Sequence, residues 1–138
     1  MKKIIPLFLL ALAFAACSKK IEFELFSAEA FAYSLDSGYE LDARTMVKGF
    51  KLEESNSLFT SRLLYSVDLV LPDGKVKKGF ASGIAKKEER EEFTEMEISI
   101  QQQMDSTFAV GKYKVVFNVT DDIAKKQLKI EKEFDLSE

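Results

Sequence analysis

From residue 21 onward, apolar and polar residues alternate one for one, the period of strands that bury a single face. Ile21, Phe23 and Leu25 are separated by Glu22 and Glu24, and after a break around Ser27 to Glu29 the same odd phase resumes at Phe31, Tyr33 and Leu35. This predicts one strand bulged in its middle, or two short ones. Ser37-Gly38 marks a turn, and Tyr39, Leu41, Ala43, Thr45 and Val47 form the next strand. Glu53 to Ser57 reads as a polar loop. Phe59, Leu63, Tyr65, Val67, Leu69 and Leu71 make a long apolar strand that ends at Pro72-Asp73-Gly74-Lys75, a sequence suited to a tight turn. Val76 to Ala85 is weaker and predicts an edge strand, with Lys86 to Glu92 as a charged connection. Three further strands run through Met96, Ile98 and Ile100, through Tyr113 to Val119, and through Leu128 to Leu136.

About seven strands with short turns must each bury one face, and two sheets packed face to face achieve this economically. The expected fold is therefore an all-β antiparallel sandwich over 21–138, with Phe59, Tyr65, Phe117 and Phe134 on inward phases. Gly111-Lys112-Tyr113 leading into KVVFNVTD resembles the penultimate strand of immunoglobulin-like domains, where a tyrosine near the strand start bonds back across a corner. The resemblance implies an immunoglobulin-like β-sandwich with Tyr113 in that role. With one cysteine and no tryptophan, the chain lacks the disulfide and core indole of antibody domains.

The first twenty residues follow another logic. Met1-Lys2-Lys3 is a positive head, Ile4 to Ala16 an almost purely apolar run, and Ala15-Ala16 are small, which is the pattern of a secretory signal. The run is shorter than the roughly 20 residues that span a bilayer. Cys17 follows at once and is the only cysteine of 138 residues. It has no partner for an internal disulfide. With no histidine in the chain it also lacks imidazole co-ligands for a metal. Phe14-Ala15-Ala16-Cys17 resembles the lipobox of bacterial lipoproteins, with Phe14 where leucine is commonest. The resemblance implies a signal peptide over 1–16, cleavage between Ala16 and Cys17, and a diacylglyceryl group on the Cys17 thiol. It also implies a second acyl chain, palmitate in type, on the new amine. Residues 17–20 would then be a lipidated terminus and short tether, placing the domain on a membrane of the bacterial cell envelope. The outer membrane is the preferred assignment, with the surface and periplasmic faces both open. Several acyl chains at about 0.8 kcal/mol per buried CH₂ make a firm anchor.

Composition sets limits on the rest. Apolar residues make up 46% and charged residues 31%, the balance of a globular domain. Loss of Lys2 and Lys3 with the leader would take the net charge from −3 to −5, and such an acidic domain lacks the basic face that nucleic acid requires. The absence of histidine excludes a Ser-His-Asp triad, and no phosphate-binding glycine loop occurs. Glu88, Glu89, Glu91, Glu92, Glu95 and Glu97 lie close in sequence and offer carboxylates for glycoside hydrolysis. Lys86, Lys87 and Arg90 interleave with them, which favours a solvated charged segment. Asp36, Asp73, Asp105, Asp121 and Asp122 sit near turns, where calcium and ordinary turn chemistry are alternatives. The expected role is thus non-enzymatic binding or assembly, without a cofactor or catalytic residues. Its partners are membrane lipid through acylated Cys17 and an envelope or extracellular protein. A small hydrolase using 88–97 and a chaperone-like or inhibitory envelope partner are the alternatives. Met46 and Phe50 fall opposite Leu41 and Val47 on the second strand. With Leu64 and Val116 they are the candidates for an apolar partner face.

Overall fold

The computed structural model describes residues 20–138; Ala16, Cys17 and the leader lie outside them. The described chain forms eight strands: β1 (Glu24–Leu35), β2 (Gly38–Lys48), β3 (Glu53–Ser55), β4 (Leu58–Val70), β5 (Val76–Glu89), β6 (Glu95–Met104), β7 (Gly111–Asp121) and β8 (Lys126–Leu136). All pairings are antiparallel. One sheet has the order β1-β2-β6, and the other is built from β5-β4-β7-β8 with β3 added to β4. β5 lies along β4 from Phe59 to Val70, so β3 and β7 share the opposite edge of β4, one beyond the other. The chain changes sheet between β2 and β3, between β5 and β6, and between β6 and β7. This is an immunoglobulin-like β-sandwich, three strands against five.

The alternation in sequence becomes the core. Leu41, Val47, Leu63, Val67, Leu69, Ile98, Val115, Phe117 and Val119 are almost wholly buried between the sheets. Tyr113 makes the corner: its hydroxyl donates to the Ala109 carbonyl at 2.5 Å, and its ring stacks on Phe134 with centroids 5.4 Å apart. Burial holds its phenol above the ordinary pKa. Removing that hydroxyl strands a carbonyl partner, so Tyr113→Phe is expected to lower unfolding stability by about 1–2 kcal/mol in urea titration, with the sandwich retained.

Two segments differ from the sequence expectation. The charged run was expected as a connection, yet β5 continues through Lys86, Lys87, Glu88 and Glu89, paired to Arg62, Ser61, Thr60 and Phe59. Same-face residues two apart form exposed ion pairs, Lys86–Glu88 at 3.5 Å and Lys87–Glu89 at 3.9 Å, and a charged edge of this kind resists pairing with another chain. The polar loop 53–57 likewise contributes β3 at Glu53–Ser55.

The bulge in β1 has the larger consequence. Phe26 pairs with Met46 and Glu29 with Arg44, so β1 carries one extra residue against Thr45. Ser27 takes a left-handed backbone, φ 51°. Buried Thr45 secures the irregularity by donating its hydroxyl to the Phe26 carbonyl at 3.1 Å. One extra residue exchanges the two faces of a strand. Leu25 points inward before the bulge, and Ala30 is buried after it. The odd phase, read straight across, puts Phe31, Tyr33 and Leu35 in the core; the bulge instead puts them outside, 54%, 52% and 42% exposed.

Candidate functional site

The residues so displaced form one column on the outer face of the β1-β2-β6 sheet. Register gives the rows. Glu29, Arg44 and Ser99 lie side by side; then Phe31, Asp42 and Gln101; then Tyr33, Glu40 and Gln103. Neighbouring strands are about 4.8 Å apart and same-face residues of one strand about 7 Å apart. The face therefore has an apolar column on β1, a charged column on β2 and an uncharged polar column on β6. A recess of about 430 Å³ opens here, lined by Phe31, Tyr33, Asp42, Arg44, Gln101 and neighbouring residues.

Charge on this face is arranged unevenly. The Arg44 guanidinium donates from Nε to Glu29 at 2.6 Å and stands 4.0 Å from Glu97. The hydrogen bond and charge of Glu29 hold its pKa above the ordinary arginine value. Asp42 takes no part in this pairing, and its Oδ1 is buried without a hydrogen-bond partner. A desolvated carboxylate oxygen without a donor is costly, and the half-buried Asp42 side chain lines the recess. At the other end of the face, Lys48 lies 5.1 Å from the Phe26 ring centroid and pairs with Glu24 at 3.3 Å, covering that aromatic. Open aromatic surface is thus concentrated at Phe31 and Tyr33.

The expected Met46/Phe50 face is not a surface. Met46 is half-buried on the outer side, between Phe26 and Glu97 in register. Phe50 follows the end of β2 and a left-handed Gly49, φ +73°. There the period of two no longer applies, and Phe50 turns into the core against Phe93, centroids 5.7 Å apart. Leu64 and Val116 belong to β4 and β7 and face outward on the opposite side of the sandwich. These four residues make no common patch.

A larger recess, about 800 Å³, lies at the pole where β1 begins, among Lys20, Ile21, Phe50, Leu52, Phe93 and the β7–β8 turn. Its walls are connections, and the Phe50–Phe93 pair at its base closes the core, so we read it as the seam between loops.

The six glutamates of 88–97 are all exposed and spread over different surfaces. Glu88 and Glu89 are on β5, Glu92 lines the polar recess and Glu97 lies beside Arg44. The turn aspartates divide between the two poles, and four of them are engaged by neighbouring groups of the chain. Asp73 accepts from the Lys75 amide and Asp105 from Thr107, which holds the Asp105 carboxyl below its ordinary pKa. Asp122 is lowered by Lys125 and Arg62. Asp121 is filled by the amides of Lys51, Ile123 and Ala124. Among the described residues no group of three or more His, Cys, Asp or Glu is placed to hold a metal ion.

The sequence matches no protein-family model and no curated protein. Among solved structures it is similar to a family 123 glycoside hydrolase from Clostridium perfringens, described for glycolipid glycan hydrolysis. The two share 13% identity and a TM-score of 0.50 over 78% of this chain and 22% of that one. The chain thus spans about a fifth of that protein's length, and the likeness is one of fold.

Proposed function

We propose that this chain is a lipid-anchored protein of the bacterial envelope that binds a ligand on the outer face of its β1-β2-β6 sheet, without catalysis. The observation that carries the binding reading is the exposure of Phe31 and Tyr33 on one face, in register with the polar side chains of Asp42, Glu40, Gln101 and Gln103. An aromatic pair more than half exposed is an unusual use of surface unless something covers it. The anchor rests on Phe14-Ala15-Ala16-Cys17 after an apolar leader.

The two parts fit together. Ser18, Lys19 and Lys20 reach about 10 Å when extended, so the pole holding Lys20, Ile21 and the larger recess sits among headgroups. β1 runs away from that pole, and Leu35 lies eleven residues beyond Glu24, about 35 Å along the strand. Phe31 and Tyr33 therefore stand clear of the membrane. Exposed glutamates on separate surfaces, three of them ion-paired, support the non-catalytic reading, since glycoside hydrolysis needs two carboxylates flanking one bond in a cleft. The glycoside hydrolase likeness adds a sandwich corresponding to a fifth of that enzyme.

The anchor is tested by labelling cells with palmitate and fractionating them. The wild-type chain is expected to be labelled, cut before Cys17 and retained with membranes, while Cys17→Ser stays unlabelled at precursor length. Normal processing and membrane retention of Cys17→Ser would overturn the anchor.

A further inference from the structure

We infer that the ligand of this face is a neutral saccharide, stacked on Phe31 and Tyr33 and held by Asp42, Gln101 and Gln103; the inference rests on the binding reading above and names its ligand class. A sugar ring is amphipathic: its C–H face is apolar and its rim carries hydroxyls that both donate and accept. The sheet face has the matching division. Its apolar column is one residue wide, Phe31 and Tyr33 with Leu35 at its end. Next to it, in the same rows, stand the acceptors Asp42 and Glu40 and then the amides Gln101 and Gln103, each able to donate and accept. Asp42 and Gln101 both line the recess, where a hydroxyl rim beside the aromatic column would lie.

Charge decides against other ligands. Around the recess Glu29, Glu40, Asp42 and Glu97 face a single Arg44, which is already paired to Glu29. A phosphate, sulfate or uronate would meet net negative charge without a free guanidinium to bind it. An amphipathic helix needs an apolar groove wide enough for residues at three- and four-residue spacing. A column one residue wide, Phe31, Tyr33 and Leu35, bordered by the carboxylates of Asp42 and Glu40, does not provide one.

The test uses the full chain in detergent and isothermal titration with tetrasaccharides of β-linked glucose, galactose and N-acetylglucosamine, and a heparin tetrasaccharide as the anionic counterpart. At least one neutral saccharide is expected to bind with Kd of about 1 mM or tighter, and heparin is expected not to bind. Phe31→Ala and Tyr33→Ala should each weaken the neutral ligand about tenfold or more, whereas Phe31→Tyr, which keeps the ring, should stay within about threefold. Both side chains are exposed, so far-UV circular dichroism of the variants should match the wild type. Failure of all three neutral saccharides, or binding indifferent to both alanine variants, overturns the saccharide. So does tighter binding of heparin. If that happens while Cys17 is still palmitate-labelled and membrane-retained, the anchored reading stands and only the ligand class falls.

Discussion

Asp121→Ala is expected to lower unfolding stability by about 3–5 kcal/mol, measured by urea denaturation of the full chain. Asp121 closes β7 and is 1% exposed. One carboxylate oxygen accepts from the Ile123 and Ala124 amides at 3.0 and 3.2 Å, shaping the turn into β8. The other accepts from the Lys51 amide at 2.8 Å, tying down the chain just after it leaves β2. Alanine leaves three donors without partners, each costing about 1–3 kcal/mol where water does not reach. Small domains have only about 5–15 kcal/mol in total, so the variant should be close to unfolding at 37 °C. Asp121→Asn keeps the shape and one oxygen but turns an NH₂ toward an amide donor, and should fall between the two. A loss below about 1 kcal/mol for Asp121→Ala would show that the amides find other partners.

Asp121 also shows where sequence reading stops. Its place before a turn is visible in Thr120-Asp121-Asp122, but its partner Lys51 is 70 positions away, and nothing in a local pattern connects them. Tyr113 was legible because its hydrogen bond spans only four residues, to Ala109. The strands were legible because burial of one face imposes a period of two wherever the ladder is regular.

The break at Ser27 to Glu29 predicts a bulge and β1 has one; which face it exposes follows only from the residue count of the ladder. The apolar phase continues unchanged from Leu25 to Leu35, but the backbone inserts one residue between them, so unchanged phase means a changed face. Ala28, Ala30 and Ala32 on the even positions were the available signal: three small apolar residues fit a covered face beside larger neighbours left outside. Phe50 shows the converse, an apolar residue on the outward phase that Gly49 returns to the core. A bulge and a left-handed glycine each shift the count by less than a strand. That is enough to move the candidate site from Met46 and Phe50 to Phe31 and Tyr33.

Gly49→Ala is expected to cost about 3 kcal/mol and to free the segment that leads into β1. Gly49 has φ +73°, a conformation that costs a non-glycine residue about 1 kcal/mol or more. Space is the harder constraint: a Cβ there would overlap the Glu22 carbonyl and stand 2.5 Å from the Phe23 nitrogen. Those are backbone atoms, so residues 22 and 23 must move away, taking with them Phe23, which packs against the core. Partial exposure of one phenylalanine adds about 1–2 kcal/mol. Hydrogen exchange should quicken over residues 20–26 while the β4-β7 ladder stays protected, and a protease should cut after Lys20. Unchanged exchange in that segment would mean that the β2–β3 connection yields instead of the terminus. For a domain anchored at Cys17 the consequence reaches function. Freeing residues 21–23 doubles a tether of three residues and adds about 10 Å to its reach. The close approach of Gly49 to Glu22 is therefore what would keep the lower pole against the headgroups and aim the Phe31/Tyr33 face away from the membrane.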